Sequence, residues 1–313
     1  METFVKNAIY MLLLTNHFSP YSPPFSYLRP MILFILCLIV AITILVVFRL
    51  FEKFGIDNLQ AILFSYLISA LAAFLVFDWK ISIAEVPQQD WFIYTFIIGA
   101  SFFIGFNIFA LSTQKAGLAL TSVAANISVI IPVSVALLLY GEELNAWQIG
   151  GLILALASIF LVFKPKDKTK FSIAALIFPL ALFFINGINN SLMKHVEQLN
   201  AMSQPMLFLG LVFISAFFVG LIFYIFKPNK KTIQKKNLIA ALILGLLNFI
   251  STYLFLASLS IFDSSVFFPI FNLSFIGGSA LIGVAVFKER LSIINWLGLI
   301  LAIFAIVLIT YFQ

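Results

Sequence analysis

The sequence predicts an all-α membrane protein whose ten transmembrane helices form two inverted sets of five. Three observations predict it. Of 313 residues, 63% are hydrophobic and 10% are charged, against about 45–50% and about 25% in soluble domains. Water cannot cover that much apolar surface, so the solvent is lipid. Ten stretches approach the roughly 20 apolar residues that a span needs. Finally, the end of each half says nearly the same thing: Tyr140-Gly-Glu-Glu-Leu144 leads to Gly151-Leu-Ile-Leu-Ala155, and Phe287-Lys-Glu-Arg-Leu291 leads to Gly298-Leu-Ile-Leu-Ala302. Glu142 and Glu289, Leu144 and Leu291, and Gly151 and Gly298 all lie 147 residues apart. Internal repetition of this kind fixes architecture before any local assignment.

The spans are expected in order at Met31–Phe51, Leu59–Phe77, Trp91–Leu111, Gly117–Tyr140 and Ala146–Phe163, then at Phe171–Met193, Gln204–Phe226, Leu238–Ser258, Ser264–Phe287 and Ile293–Phe312. Polar or proline-bearing breaks at 78–90, 164–170 and 227–237 separate some of them. The basic stretch 164–170 divides the chain into a first five-helix repeat, 31–163, and a second, 171–313. Because five is odd, the second set enters the bilayer with opposite orientation. Thr121-Ser-Val123 parallels Ser264-Ser-Val266 at the entry to the fourth and ninth helices. Residues 1–30 fit no span: Ala8–Leu14 is too short, and Phe18-Ser-Pro-Tyr-Ser-Pro-Pro24 cannot continue a helix. They are expected to form a disordered or surface-lying tail, and Met31 is an alternative start.

The single cysteine, Cys37, rules out a disulfide framework, and two histidines, His17 and His195, cannot supply a multi-histidine metal centre. No cofactor or metal is expected. The net charge of +6 reflects lysines in short loops rather than a nucleic-acid partner. Of the 18 lysines and arginines, 14 fall in the odd-numbered loops, among them the lysine clusters of 164–170 and 227–236. Basic loops mark the cytoplasmic side, which places these loops inside and both termini outside.

From Pro132 to Ala155 and from Phe287 to Ala302 the chain resembles the EamA domain of the drug/metabolite transporter superfamily. The shared features are a proline in the fourth helix, a Glu-Glu-Leu or Lys-Glu-Arg-Leu loop, a tryptophan, and the Gly-Leu-Ile-Leu-Ala helix. The resemblance extends over both halves, about residues 31–312. It implies a 5+5 inverted-repeat transporter that moves small organic solutes by alternating access.

In hydrocarbon a polar side chain needs a partner or a water-filled cavity, so intramembrane polar residues are the candidate solute ligands. Asparagine recurs. Asn107, Asn126, Asn186, Asn189, Asn248 and Asn272, together with Tyr253, are the expected substrate-binding residues. Asn186, Asn189 and Asn190 stand at i, i+3 and i+4 and share one face of the sixth helix. A carboxamide both donates and accepts hydrogen bonds, which suits a zwitterionic or polyhydroxylated solute such as an amino acid. The competing role for each asparagine is a bond between helices. Trp91, Tyr94 and Trp296, near helix ends, read as interfacial anchors. Glu142, Glu143 and Glu289 sit beside the starts of the fifth and tenth helices, where a carboxylate favours the positive helix end. Gly277, Gly278 and Gly283 permit close helix approach.

No carboxylate lies mid-span, so facilitated diffusion or exchange is expected rather than proton-driven antiport. An intramembrane enzyme would need a nucleophile with its base, or a carboxylate or metal cluster, and none is offered. The nearer alternative is a flippase for amphipathic or lipid-linked substrates. The expected setting is the plasma membrane, a bacterial inner membrane, with a small solute and the surrounding lipid as partners and a monomer as the working unit.

The orientation is open to direct measurement. In a Cys37→Ala background, Lys168→Cys and Lys231→Cys should react with a membrane-impermeant maleimide only after the cells are opened. Labelling of both from outside intact cells reverses the assignment.

Overall fold

The computed structural model describes residues 25–77, 83–128, 130–131, 145–162, 173–199, 203–228, 232–259 and 264–311. Among them are ten α-helices and one 3-10 turn, Ile83–Gln88. The helices are α1 Phe25–Phe54, α2 Asn58–Val76, α3 Phe92–Lys115, α4 Leu118–Ile127, α5 Ala146–Val162, α6 Ile173–Gln198, α7 Pro205–Phe226, α8 Lys235–Leu259, α9 Ser264–Ala285 and α10 Ile293–Tyr311. Where an expected helix end falls among the described residues the two agree within about six residues, whereas α4 is described only to Ile127 of the expected Gly117–Tyr140, whose end lies outside them. At the N-terminus α1 begins six residues ahead of Met31. The tail up to residue 24, the basic stretch 164–170 and the loop holding Glu142 and Glu143 lie outside the described residues.

Six of the helices, α1, α2, α3, α6, α7 and α8, are long and apolar enough to cross a membrane. The described apolar parts of α4, α5, α9 and α10 are shorter. Large apolar side chains point outward along many of these helices: Ile153 is 63% exposed, Leu75 70% and Phe226 80%. A helix apolar on its outer face as well as its inner one belongs in lipid.

Inside, one core gathers Phe48, Ile62, Tyr66, Ile98, Phe208 and Phe213 from α1, α2, α3 and α7. A second joins Val123 and Ile127 of α4 to Ile276 of α9 and Ala302 and Ile306 of α10. The main helix pairings are α2 with α7 and α8, α3 with α6 and α7, α1 with α8, α4 with α9, and α5 with α10. Replacing each helix of the first five by its counterpart in the second turns this set into itself: α2–α8 becomes α7–α3, and α1–α8 becomes α6–α3.

Two glycines show the same correspondence at atomic scale. A Cβ on Gly99 would stand 2.7 Å from the Val212 carbonyl oxygen and from Ser215 Cβ on α7. A Cβ on Gly245 would stand 2.6 Å from the Ser65 carbonyl oxygen on α2. These positions are 146 residues apart, and each brings a helix backbone against the other repeat. Small residues let helix backbones approach closely in lipid, where van der Waals contact replaces the hydrophobic effect as the force between helices. The glycines expected to play this part behave differently. Gly277 has open space where a Cβ would be, Gly278 packs on Ile42, and Gly283 faces the Glu289 carboxylate.

Helices α5 and α10 begin 147 residues apart, at Ala146 and Ile293, in step with the loop motif, whereas Thr121–Val123 and Ser264–Val266 are 143 residues apart and out of step with it. The 146-residue spacing of Gly99 and Gly245 aligns Asn126-Ile-Ser-Val-Ile130 with Asn272-Leu-Ser-Phe-Ile276.

Gly99→Ala and Gly245→Ala should each cost about 1–3 kcal/mol by overpacking. Gly277→Ala should be neutral or stabilising by up to about 1 kcal/mol, the helix cost of glycine. Thermal unfolding in detergent separates the two outcomes, and equal effects at all three positions would reject the close-approach assignment.

Candidate functional site

The seven candidate residues divide according to what the fold gives their polar atoms. Asn107 is half-buried on α3 and its amide donates to the Phe103 carbonyl one turn back, at 2.9 Å. Asn126 does the same on α4, donating to Ser122 O at 2.7 Å. Asn248 is buried on α8, and its amide reaches Ser69 Oγ on α2 at 3.5 Å. Ser69 in turn donates to Gly245 O at 2.9 Å. This chain of bonds ties α8 to α2 beside the Gly245 contact, so Asn248 joins helices.

Asn189 and Tyr253 stand apart. Asn189 is buried on α6, and its Nδ2 lies 3.7 Å from the place a Cβ on Gly105 would take, so the amide rests against the α3 backbone. Its Oδ1 is buried without a hydrogen-bond partner. The Tyr253 hydroxyl, on α8, is likewise buried and unpartnered, with its ring tilted against Phe249 at 6.1 Å. An orphaned buried acceptor costs about 1–3 kcal/mol, so each one calls for an account, of which a functional role is one. Asn186 is half-buried and Asn190 exposed, so the asparagine stripe of α6 runs along the edge of its buried face. Asn272 is half-buried on α9.

The repeat register adds a relation that the sequence reading missed. At a spacing of 146, Asn126 corresponds to Asn272 and Asn107 to Tyr253. Four of the seven candidates therefore hold equivalent positions in the two halves. The signal was available in the Asn-Ile-Ser and Asn-Leu-Ser triplets. It was obscured by the 147-residue register of the more conspicuous loop motif.

Several expectations at the helix ends are corrected. Trp91 is 2% exposed and packs edge-to-face on Phe208 at 5.6 Å, so it is a core residue and no interfacial anchor. Tyr94 meets His195 across α3 and α6, with Oη and Nε2 3.0 Å apart. Trp296 keeps an outward place on α10, 38% exposed. Glu289 does not serve the start of α10, which Ser292 and Asn295 cap reciprocally: Asn295 N donates to Ser292 Oγ at 3.2 Å and Ser292 N donates to Asn295 Oδ1 at 2.9 Å. The carboxylate of Glu289 instead accepts from Leu118 N at 2.6 Å and Ala119 N at 3.4 Å, at the start of α4 in the other half.

Other polar groups hold the same end of the bundle together. Gln60, Asn237 and Asp57 join α2 to α8 through Asn237 Nδ2 donating to Gln60 Oε1 at 2.6 Å and Asp57 N donating to Asn237 Oδ1 at 3.1 Å. Lys236 donates to Gly55 O at 2.7 Å. Arg49 donates to the carbonyls of Thr113 and Gln114 at the end of α3, while Gln114 and Asn58 exchange amide bonds at 3.0 and 3.1 Å.

A bundle of apolar helices that buries a few amides between its halves defines a multi-pass membrane protein, with the features of a solute carrier. Comparison with known proteins gives the class. The profile of the EamA-like transporter family matches residues 29–164 and again 173–311, and the chain belongs to that family, a family of membrane transporters in the drug/metabolite superfamily. An uncharacterized protein from Haemophilus influenzae is 26% identical over 288 residues, 88% of this chain and 97% of that one. A solved crystal structure shares the fold at a TM-score of 0.55 and 14% identity, covering 88% of this chain and 99% of the other.

Replacing the orphaned amide separates function from stability. Asn189→Leu should hold or raise the melting temperature, because it removes an unsatisfied buried acceptor. Asn248→Ala should lower it, by a stability loss of roughly 0.6 kcal/mol, the mean worth of an interhelical bond in a membrane. Equal losses in a thermal-shift series would place Asn189 among the packing residues.

Proposed function

We propose that this protein is a ten-span carrier of small polar organic metabolites, amino-acid-like in chemistry, built as a 5+5 inverted repeat and working by alternating access in the plasma membrane, a bacterial inner membrane. The family match in both halves supports the duplicated architecture, and so does the exchange of helix pairings between them. Three described side-chain atoms are buried and unpartnered, Asn189 Oδ1, Tyr253 Oη and Gln204 Oε1; the first two, within helices α6 and α8, carry the solute class, while Gln204 stands at the start of α7. An acceptor and a hydroxyl with no bond of their own are suited to a solute that offers N–H or O–H donors and an acceptor in return. Asn107, Asn126, Asn186 and Asn272, half-buried on α3, α4, α6 and α9, supply further amides from both halves. Asn248 acts beside them by fixing α8 against α2. With no carboxylate in the middle of the spans, the solute moves down its own gradient or in exchange for another.

Counterflow in proteoliposomes tests the reading. Vesicles preloaded with candidate amino acids, other small metabolites or sugars should take up labelled solute of the same kind with no pH gradient imposed. Asn189→Ala and Tyr253→Phe should each lower the flux at least tenfold while the protein still inserts and folds. Full activity in both variants would refute the site. Uptake that strictly follows an imposed pH gradient would refute exchange.

A further inference from the structure

The fold gives Glu289 an environment that a loop carboxylate does not ordinarily have. Its Oε1 and Oε2 sit between two glycines from opposite repeats: a Cβ on Gly117 would stand 2.6 Å from Oε1, and a Cβ on Gly283 would stand 2.5 Å from Oε2. Gly117 has φ +92°, a conformation that L side chains rarely adopt. Lys288, just before the carboxylate, has φ +54°, and Glu289 N donates to Gly283 O at 2.9 Å. The backbone on both sides is shaped to bring one acidic side chain onto the first amides of α4. Those amides carry the positive end of the helix dipole, where a carboxylate is stabilised. The contact runs from the second repeat to the first, at the end of the bundle that Gln60, Asn237 and Lys236 also close.

We propose that Glu289 is a latch between the repeats: seated on the start of α4 it holds the lysine-rich-loop end closed, and its withdrawal opens that end. This rests on the alternating-access reading, since only a carrier that opens at each end in turn needs a releasable closure. Glu289 is then a positioning residue for transport and touches no solute. The contact suits a latch because only two hydrogen bonds, from the Leu118 and Ala119 amides, cross between the repeats here, and water can replace both when the repeats part. The apolar contacts between α2, α3, α7 and α8 offer no such exchange.

The latch responds to protons. Burial raises the Glu289 carboxyl above its usual range, against the opposing pull of the Leu118 and Ala119 amides and of Arg49. The surrounding charges are Arg49 on α1, Lys115 at the end of α3, which pairs with Glu52 at 3.8 Å, and Lys288 and Arg290 on its own loop. In the open state the carboxyl meets water and returns to its usual value. The closed state therefore binds a proton more tightly, so acidification favours closure and the preference fades as pH rises through the raised value. The proton enters and leaves on the same side, so none crosses the membrane, and the effect modulates exchange without driving it.

Spin labels at Lys53→Cys and Val286→Cys, exposed positions on the two repeats at this end, read the state directly in a Cys37→Ala background. Pulsed dipolar distances should show mainly the short, closed separation at pH 5, with a longer population that grows at least twofold at pH 8. Glu289→Ala should enlarge the longer population at both pH values. Glu289→Gln, which keeps one acceptor and has no proton to lose, should abolish the pH response. Unchanged distances in Glu289→Ala, or identical wild-type distances at pH 5 and 8, overturn the latch and leave Glu289 a static cap. Should Glu289→Ala fail to insert, the wild-type comparison and Glu289→Gln still decide. No solute is added, so the result is independent of whether the transport assay succeeds.

Discussion

Between two helices in lipid there is little hydrophobic force, because the hydrocarbon outside is as apolar as the side chains inside. Association then depends on how closely backbones can approach and on the few polar bonds that can be made there. Gly99 against α7 and Gly245 against α2 meet this constraint, and much else follows from their positions. With α3 and α8 held so close to the opposite repeat, α2 and α7 are drawn to the centre and Tyr66, Phe208 and Phe213 become fully buried. The Asn248–Ser69–Gly245 chain of bonds then sits where the backbones are already in contact.

The same constraint sorts the polar groups. Near the helix ends, where water is at hand, they are abundant and bonded, as in the Gln60–Asn237 and Gln114–Asn58 pairs. Deeper in the bundle they are few. Most are turned back on their own helix, as Asn107, Asn126 and Thr252 are. Against that background the buried atoms of Asn189 and Tyr253, with Gln204 at the start of α7, are left without a bond among the described residues.

The helix order, and the helix ends that fall among the described residues, could be read from the sequence, because runs of about 20 apolar residues have few other physical explanations. The duplication was legible too, but from one part of it: the Gly-Leu-Ile-Leu-Ala motif carries the 147-residue spacing of α5 and α10, whereas Gly99 with Gly245 and Asn126 with Asn272, further up the chain, are 146 apart. Partner choice was not legible. Trp91 looked like an anchor because tryptophans near helix ends usually are, and only the arrival of Phe208 from α7 makes it a core residue. Glu289 looked like a cap for the nearest helix, while the chain folds it toward a helix some 170 residues away in sequence. Spacing along one helix shows which side chains share a face. It does not show what that face will meet.

Helices α2, α4 and α5 each pack against their own counterparts, α7, α9 and α10. Two separate, identical subunits meeting in this way would carry every interior group twice, as two-fold assemblies must. One continuous chain is free of that rule, and it has used the freedom selectively. Where spacing is at stake, Gly99 and Gly245 remain the same; at Asn107 and Tyr253, an amide in one half stands where the other half has a phenol. The interior is symmetric as a scaffold and asymmetric as chemistry. Duplication within one chain thus keeps the packing of a two-fold assembly while freeing each interior position to change alone.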